Sequence, residues 1–345
     1  MIDRAEDTSL MFAEAGEAAA AVARLLDHNQ FAITALAERL RATPPRLVVT
    51  CARGSSDHAA TYGKYLFEAM LGIPVVSAAP SIASVFDAPA GGAPDTLCIA
   101  ISQSGRSPDL LATVEAHRRT GTHIVALVND EESPLADAAD TIIALRAGPE
   151  RSVAATKSCL AAMAALAAIV AETAQDAALH AAVRTLPATL RTAFAQDWSP
   201  MVQSLTGARN LFVIGRGYGL GIAQEMALKL KETCALHAEA YSAAEVRHGP
   251  MTIVGADFPI LAVAGSDRAG DSVRAVAAEF AARGARILLA DAGDAGGILP
   301  TAAAHPAIEP LLALQSFYRA ANALSLARGL DPDAPPHLAK VTRTV

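Results

Sequence analysis

The sequence predicts an α/β protein made of two copies of one unit, each a mostly parallel sheet with helices on both faces. Short apolar runs bounded by turn residues alternate with segments of helical periodicity, which is the pattern of successive βαβ units. The plan occurs twice, because Leu47–Gly54 and Leu211–Gly217 are both apolar runs that end in Arg-Gly. An internal duplication explains this repetition, and a length of 345 residues suits two domains.

The first half of the chain contains the elements of a complete domain. Residues 1–44 have helical periodicity and reach a Pro-Pro pair, so we expect N-terminal helices there. Residues 45–165 contain five apolar runs, which predict the five strands of a first domain. These runs are Leu47–Thr50, Pro74–Ser77, Leu97–Ile101, Ile124–Val128 and Thr141–Leu145.

The second half repeats this order after a helical connection. Residues 166–200 are expected to form connecting helices, and residues 201–330 a second domain with a five-stranded sheet of the same design. Its clearest apolar runs start at Leu211, Pro259 and Arg286. The tail, 331–345, contains several prolines and no helical signal, so we expect an arm that closes over an active site.

Composition and charge exclude several classes of function. The formal net charge is −7, aromatic residues make up 4%, and Lys and Arg form no run, so we expect no nucleic-acid partner. The most apolar stretch, Cys159–Ala171, is too short to span a bilayer, and the N-terminus lacks a secretory signal. We therefore expect no membrane partner and a cytoplasmic location. The four cysteines are widely spaced, which predicts reduced thiols without a disulfide framework or a metal site.

A loop rich in hydroxyl groups follows the third predicted strand. The stretch Ser102-Gln103-Ser104-Gly105-Arg106-Ser107 precedes a helical segment that begins at Pro108. Such a loop collects hydroxyls and backbone N–H groups without a partner in the helix, which predicts a phosphate site. A capped serine-rich turn is the alternative interpretation. The matching stretch of the second half, Ala264–Gly270, has fewer hydroxyls and contains Asp267, so we expect one phosphate site per chain.

Glycine-containing loops follow the first strand of each half. After Arg53, Gly54 and the hydroxyls of Ser55 and Ser56 stand at a helix start, where parallel sheets bind ligands; a capped helix start is the alternative. The glycines of Gly215–Gly221 do not have the spacing of a dinucleotide-binding motif, and no acidic residue ends a strand about 20 residues later. We therefore expect neither NAD nor another cofactor.

The densest group of ionisable residues lies in 226–250. Lys229 and Glu232 are three residues apart, so on a helix they share a face and can form an ion pair. A solvated surface pair is the alternative. A carboxylate that moves a proton between adjacent carbons, together with a histidine, suits ring opening and enolisation of a sugar. His237 and His248 are both candidates for that histidine.

The proline-rich tail contains Lys340. A lysine near a chain end usually lies in solvent. A tail stiffened by prolines could instead fold over a crevice and supply an amine for Schiff-base chemistry.

Seven motifs together resemble the tandem sugar isomerase (SIS) domains of glucosamine-6-phosphate synthase, in the same order along the chain. The resemblance runs from about residue 45 to the C-terminus. The motifs are Arg53-Gly-Ser-Ser, Ser102-Gln-Ser-Gly, Val153-Ala-Ala-Thr-Lys157, Leu228-Lys-Leu-Lys-Glu232, His237-Ala-Glu-Ala-Tyr241, Glu245-x-x-His-Gly-Pro250 and Leu338-x-Lys-Val-Thr342. This likeness implies two SIS domains and a sugar phosphate as the small-molecule partner.

The resemblance also implies roles for individual residues. The phosphate would be held by Ser102, Gln103, Ser104 and Ser107, and the sugar would be surrounded by Ser55, Ser56, Val153 and Ala154. Glu232 would move the proton between C1 and C2 with help from Lys229. In a homodimer His248 would open the sugar ring in the partner's site, and Lys340 would form the Schiff base.

Departures from the synthases indicate the reaction. The synthases carry an N-terminal glutaminase domain with a cysteine nucleophile, whereas this sequence has Ile2 and helix-like residues before Arg46. Without that source of ammonia, we expect glucosamine-6-phosphate and water to give fructose-6-phosphate and ammonia. Arg53 and Ala155 replace a cysteine and a serine of the synthases, and the surrounding motifs look like the stand-alone branch that contains glucosamine-6-phosphate deaminases.

Two other functions remain open from the sequence. A deglycase that cleaves a phosphorylated amine–sugar adduct, such as fructosamine-6-phosphate, would use the same glutamate and lysine. A non-catalytic sugar-phosphate sensor, similar to regulators with SIS domains, would not need Glu232, His248 and Lys340 together. The acidic N-terminal helices disfavour a regulator that binds DNA.

Overall fold

A computed structural model describes residues 8–293 and 297–340 of the chain. These residues divide into two compact units. The first-half unit comprises Ala20–Pro149 and Ser158–Arg184, and the second-half unit comprises the described parts of residues 1–19, 150–157 and 185–340. Each unit contains one parallel sheet, which confirms the predicted α/β class.

The strands and helices alternate along the chain as the sequence predicts. The strands are β1 (Leu47–Cys51), β2 (Val75–Ser77), β3 (Thr96–Ser102), β4 (His123–Val128), β5 (Thr141–Ala144), β6 (Asn210–Gly215), β7 (His237–Ser242), β8 (Pro259–Ala264) and β9 (Arg286–Asp291). The helices are α1 (Leu10–Gly16), α2 (Ala18–Ala42), α3 (Ser55–Leu66), α4 (Ser81–Ser84), α5 (Pro108–Arg118), α6 (Pro134–Asp137), α7 (Lys157–Ala174), α8 (Ala177–Phe194), α9 (Ser199–Leu205), α10 (Gly219–Cys234), α11 (Arg268–Ala282) and α12 (Glu309–Ala327).

The sheet of the first-half unit has the strand order β2-β1-β3-β4-β5, with every pair parallel. The chain leaves β1 toward one side for β2 and returns to the other side for β3, so the strand order reverses between β1 and β3. The residues of β3 are buried throughout, as expected for a parallel strand covered on both faces. Parallel sheets bind ligands at such a reversal, beyond the carboxyl ends of the strands.

Helix α2 covers the outer edge of this sheet through one side chain. The amide of Asn29 donates to the backbone oxygen of Ala144 at 2.8 Å, and its oxygen accepts from the N–H of Ala144 at 2.9 Å. Ala144 ends β5, the edge strand. The predicted N-terminal helix therefore satisfies backbone groups that an uncovered edge would leave open.

The sheet of the second-half unit has the order β7-β6-β8-β9, again all parallel. The sequence predicts five strands here, but the described residues form four. Beyond β9, Leu299 makes a single parallel bridge to Ala290. This one bridge takes the place of a fifth strand at the edge of the sheet. The core between β6, β8 and α11 is apolar and includes Phe212, Ile260 and Phe280.

Strand β7 is a difference from the sequence interpretation, because it is not among the apolar runs identified there. His237–Ser242 pairs with β6 along its whole length. The pattern His-Ala-Glu-Ala-Tyr-Ser places few large apolar side chains on the strand, because β7 is the edge strand and is only partly buried. Periodicity and composition therefore carried little strand signal.

Helix α7 is longer than the apolar stretch suggested by the sequence. Its 18 residues make it the one described helix long and apolar enough to cross a membrane, but 89% of it is buried inside the fold. That burial is typical of a core helix of a folded domain. All four cysteines are free and buried, and burial raises the pKa of Cys51 to about 12 and that of Cys234 to about 11.

Gly215 ends β6 where the backbone of α10 passes close by. A Cβ at this position would lie 2.3 Å from the carbonyl oxygen of Gly219, so Gly215→Ala must displace backbone. We expect a loss of about 1–3 kcal/mol in the free energy of unfolding, measured by urea denaturation. Gly207→Ala is the matched control, because a Cβ there would meet no atom within 4 Å. Equal midpoints for the two variants would contradict this account.

Candidate functional site

The loop after β3 turns sharply within the first-half unit. The hydroxyl of Ser102 accepts the N–H of Gly105 at 3.0 Å. Gly105 has a φ of +63°, and a Cβ there would lie 2.2 Å from the hydroxyl oxygen of Ser133. Only glycine fits this position. The turn therefore brings Ser102–Ser107 back over the start of α5 as a compact loop.

The remaining polar groups of this loop are open to a ligand. Gln103, Ser104 and Ser107 are partly exposed. Ser107 occupies the N-cap position of α5, yet its side chain makes no capping hydrogen bond, and Pro108 begins the helix. Pro108 has no N–H, and the N–H of Leu110 donates to the Asp109 carboxylate at 2.8 Å. The side chains of Gln103, Ser104 and Ser107 are therefore the groups of this loop that suit the predicted anion site.

The loop after β1 lies beside the loop after β3, because β1 and β3 are neighbours in the sheet. Gly54 has a φ of +55° and precedes α3, whose first residues, Ser55 and Ser56, are partly exposed. Arg53 links the two loops: its Nη2 and Nε donate to one carboxylate oxygen of Asp109, at 2.7 and 3.0 Å. The predicted residues of the two loops therefore gather at the reversal point of the first sheet.

The corresponding position of the second sheet is filled by the protein itself. The carboxylate of Glu309, only 2% exposed, accepts the N–H of Ser266 at 2.7 Å and that of Ala304 at 3.2 Å. Asp267 caps α11 by accepting the N–H of Gly270 at 2.8 Å. Two carboxylates thus stand at the loop after β8, which supports the expectation of a single phosphate site in the first half.

Helix α10 carries a buried array of charges within the second-half unit. The Lys229 side chain is 1% exposed, and its ammonium lies 2.6 Å from a carboxylate oxygen of Glu232 and 3.3 Å from one of Glu225. The Glu225 side chain is fully buried and accepts the hydroxyl of Tyr318 at 3.0 Å. The Glu232 side chain is 23% exposed. Glu232 is therefore the member of the array that a substrate can reach.

Sequence reasoning found Lys229 and Glu232 but missed Glu225 and Tyr318. Glu225 is four residues before Lys229, so its helical spacing was a usable signal. Tyr318 comes from α12, far along the chain, and no local pattern connects it to α10. Burial of the lysine distinguishes this array from the solvated surface pair that was the alternative.

The two histidine candidates follow α10 in the chain, one at the start of β7 and one after a short helical turn. His237 begins β7 and is exposed. His248 is also exposed and follows the turn Glu245–Arg247, where its backbone N–H donates to the carbonyl of Glu245 at 2.8 Å. No hydrogen bond of the His248 ring occurs among the described residues. The structure leaves this ring available to another molecule.

The segment 150–157 is anchored within the second-half unit by carboxylates. Glu14 of α1 accepts the backbone N–H groups of Arg151 and Ser152, and burial raises the pKa of its carboxyl group. Val153 donates its N–H to the carbonyl of Asp333 in the tail at 3.5 Å. The N-terminal helix and the tail thus position the predicted sugar-contacting residues Val153 and Ala154.

Lys340 is the last residue that the structure describes. Its ammonium lies 3.6 Å from a carboxylate oxygen of Glu150, whose side chain is fully buried. The other oxygen of Glu150 accepts the N–H of Thr156 at 2.9 Å. Lys340 is therefore held beside the segment that carries Val153, rather than free in solvent. The rest of the tail motif, Val341 and Thr342, lies outside the described residues.

Among the described residues there is no group of three or more His, Cys, Asp or Glu side chains that could hold a metal ion. The polar groups of the loops after β1 and β3 include hydroxyls, amides and two paired arginines, Arg53 and Arg106. The carboxylates of the α10 array are paired with Lys229. These donor sets suit an anionic, hydroxylated ligand.

Two parallel sheets, each with polar loops at its carboxyl edge, define a duplicated, doubly wound α/β protein. The family follows from comparison with known proteins: the chain belongs to the SIS domain family, whose model matches residues 44–172 and 204–305. This confirms the family resemblance found in the sequence motifs.

Named relatives agree with this membership. The glutamine–fructose-6-phosphate aminotransferase (isomerizing) of Gluconobacter oxydans (strain 621H) is 34% identical over 316 residues, covering 86% of this chain and 51% of that protein. The chain thus spans about half the length of the curated relatives it matches. A candidate phosphosugar isomerase from Silicibacter pomeroyi DSS-3 is 42% identical with a TM-score of 0.89, covering 94% of this chain and 100% of that one.

A third protein shares the fold alone. The glucosamine-6-phosphate deaminase of Thermotoga maritima has a TM-score of 0.71 and 21% identity, covering 94% of this chain and 99% of that one. The relatives above 30% identity are therefore named for amination and isomerisation of phosphosugars.

Replacing Lys229 should lower the free energy of unfolding, because it leaves a buried carboxylate without its cation. In Lys229→Met, Glu225 keeps a buried carboxylate without its cation, and we expect a loss of about 3–5 kcal/mol in the free energy of unfolding. Adding Glu225→Gln should recover part of this loss. Lys231→Met, on an exposed position of the same helix, is the control, and urea denaturation is the measurement. A Lys229→Met protein as stable as the control would refute the buried array.

Proposed function

We propose that the protein is an amino-sugar phosphate deaminase/isomerase, which converts glucosamine-6-phosphate and water into fructose-6-phosphate and ammonia. The observation that carries the proposal is the buried Lys229 ammonium, which holds the carboxylate of Glu232 at 2.6 Å at the one open position of the array. A general base must be fixed in place to move a proton between neighbouring carbons. A surface ion pair would not require Glu225 and Tyr318 behind it.

The steps of the proposed reaction follow from the chemistry of these groups. His248 takes the proton of the C1 hydroxyl while the ring oxygen is protonated, which opens the sugar to its aldehyde. Glu232 then moves the proton from C2 to C1, while the C1 oxygen gains a proton and the C2 amine loses one through water, so that the C2 amine becomes an imine and C1 an alcohol. Lys229 holds Glu232 in position during both transfers.

Release of ammonia completes the proposed reaction. The amine of Lys340 attacks C2, and ammonia leaves as the carbon–nitrogen bond to Lys340 forms. Water then hydrolyses this second imine, which frees the Lys340 amine and fructose-6-phosphate. The carboxylate of Glu150 lies 3.6 Å from the ammonium of Lys340. It neutralises the charge of the lysine when the amine is protonated.

Binding of the substrate is assigned to the loops. We propose that the phosphate is held by the hydroxyls and amides of Ser102, Gln103, Ser104 and Ser107, and that Ser55, Ser56, Val153 and Ala154 contact the sugar. The support for the phosphate assignment is the unused Ser107 hydroxyl at the start of α5. Glu309 occupies the equivalent loop of the second half, which leaves the first half to take the anion.

The direct test is the release of ammonia and fructose-6-phosphate from glucosamine-6-phosphate by the purified protein. We expect equal amounts of both products, and loss of turnover in Glu232→Gln with sugar-phosphate binding retained. Lys340→Ala should lose covalent trapping by borohydride. Normal turnover in Glu232→Gln would remove Glu232 from the reaction. No turnover of glucosamine-6-phosphate by the wild-type protein, with release of an amine from fructosamine-6-phosphate, would replace the deaminase with a deglycase.

The phosphate assignment makes a separate kinetic prediction. Ser104→Ala and Ser107→Ala remove hydroxyls that contact the phosphate equally in the ground state and the transition state, so KM should rise by about tenfold and kcat should stay close to the wild-type value. Ser199→Ala, at the first position of α9, is the control. A fall in kcat without a change in KM would place these hydroxyls at the reacting carbons instead.

The proposed homodimer can be tested by complementation. If His248 acts in the partner's site, a heterodimer of Glu232→Gln and His248→Asn chains contains one intact site and one doubly defective site. Heterodimers isolated through two different affinity tags should then recover about half of the wild-type activity. Each homodimer of a single variant is the control. An inactive heterodimer would show that His248 acts within its own chain.

A further inference from the structure

Arg53 holds an unusual position at the carboxyl edge of the first sheet. Its guanidinium contacts the carboxylate of Asp109 through two nitrogens, at 2.7 and 3.0 Å. Asp109 lies in the first turn of α5, directly after the loop Ser102–Ser107. The arginine therefore reaches from the loop after β1 to the helix start that follows the proposed phosphate loop.

The two partners differ in exposure. The Asp109 side chain is 1% exposed and that of Arg53 is 53% exposed. A buried carboxylate needs a cation. Here one edge of the Arg53 guanidinium contacts Asp109, and the rest of the group is exposed to solvent. An arginine that served only to neutralise Asp109 would not need to be exposed to solvent.

The open side of Arg53 still has hydrogen-bond donors. Its Nε and Nη2 donate to Asp109, whereas Nη1 donates to no residue that the structure describes. The guanidinium is planar and is already held by Asp109, so its remaining N–H groups have a fixed direction. Little side-chain entropy is therefore lost when these groups bind a ligand. Such a fixed fork suits the oxygens of a phosphate group.

The other arginine of this region, Arg106, has a more exposed partner. Arg106, within the loop itself, donates through Nη2 and Nε to Asp130 at 2.8 and 3.2 Å. It also donates to the backbone oxygen of Glu132 at 3.3 Å. The Nη1 of Arg106 also donates to no residue that the structure describes, but its partner Asp130 is 37% exposed, whereas Asp109 is 1% exposed. Arg53 is therefore the arginine of this region that is held by a buried carboxylate.

We propose that Arg53 donates through Nη1 to the phosphate group bound by the loop Ser102–Ser107, and so makes the protein select phosphorylated sugars. This inference rests on the proposed function, because it assigns a further contact to the same phosphate. The serine hydroxyls supply neutral donors, and Arg53 supplies the charge-assisted one. Asp109 acts as a positioning residue that keeps the guanidinium in place.

The test measures the binding of inorganic phosphate to the folded protein by calorimetry, together with KM and kcat for glucosamine-6-phosphate. In Arg53→Gln we expect phosphate binding to weaken by about tenfold or more and KM to rise by a similar factor, with kcat little changed. Arg53→Lys keeps the charge but not the fork, and should give an intermediate loss. Arg46→Gln is the matched control, because Arg46 precedes the opposite end of β1 and is 86% exposed.

A double variant separates phosphate binding from neutralisation of Asp109. Arg53→Gln alone leaves Asp109 buried without its cation, whereas Arg53→Gln/Asp109→Asn removes both charges and is expected to preserve the fold. If Arg53 contacts the phosphate, the double variant remains as weak in phosphate binding as Arg53→Gln. If the double variant binds phosphate like the wild-type protein, Arg53 only neutralises Asp109, and the inference is overturned.

The same titrations distinguish this inference from the proposed function. If Ser104→Ala weakens phosphate binding and the Arg53 variants do not, the phosphate loop stands and only the role of Arg53 fails. If the wild-type protein binds no phosphate, or Ser104→Ala leaves the affinity unchanged, the phosphate loop itself fails. The role of Arg53 then fails with it.

Discussion

The parallel arrangement of both sheets is the constraint on which the candidate site depends. Because every strand runs in the same direction as its neighbours, all the loops that follow strands leave a sheet at one edge. In the first-half unit the order reverses between β1 and β3, and the loops after these strands carry the hydroxyls of Ser55, Ser56 and Ser104. A parallel sheet of this kind turns residues that are distant in sequence into neighbours.

The two units differ in the loop after the corresponding strand, β3 in the first half and β8 in the second. In the first half, the loop after β3 has hydroxyls, an uncapped helix start and an arginine pinned by Asp109. In the second half, Glu309 places a buried carboxylate on the backbone N–H of Ser266. An internal carboxylate satisfies the same donors that a phosphate would use, so the second loop is closed by its own fold. The second half instead carries charge in α10, where Lys229 lies between two glutamates.

Burial of those charges costs stability, since each ion must leave water before it can pair. Lys229 pairs with Glu225, and Glu225 accepts a hydrogen bond from Tyr318. These contacts offset part of that cost, and all three side chains stay buried. Glu232 is the partly exposed end of the array. This arrangement gives the exposed carboxylate a fixed position, which is what the proposed proton transfer requires and what a packed apolar core would not provide.

Local patterns in the sequence determined the α/β class, eight of the nine strands and the polar loops, because apolar runs and Gly or Ser turns act over a few residues. Motif order also determined the SIS family. The edge strand β7, the reduced fifth strand of the second sheet and the contacts of Arg53 with Asp109 were decided only by the tertiary structure. So were the roles of Glu225, Tyr318 and Glu309, since a buried charge is satisfied by residues from separate helices and loops. Such pairing depends on which side chains meet in the folded chain, and no local pattern contains that information.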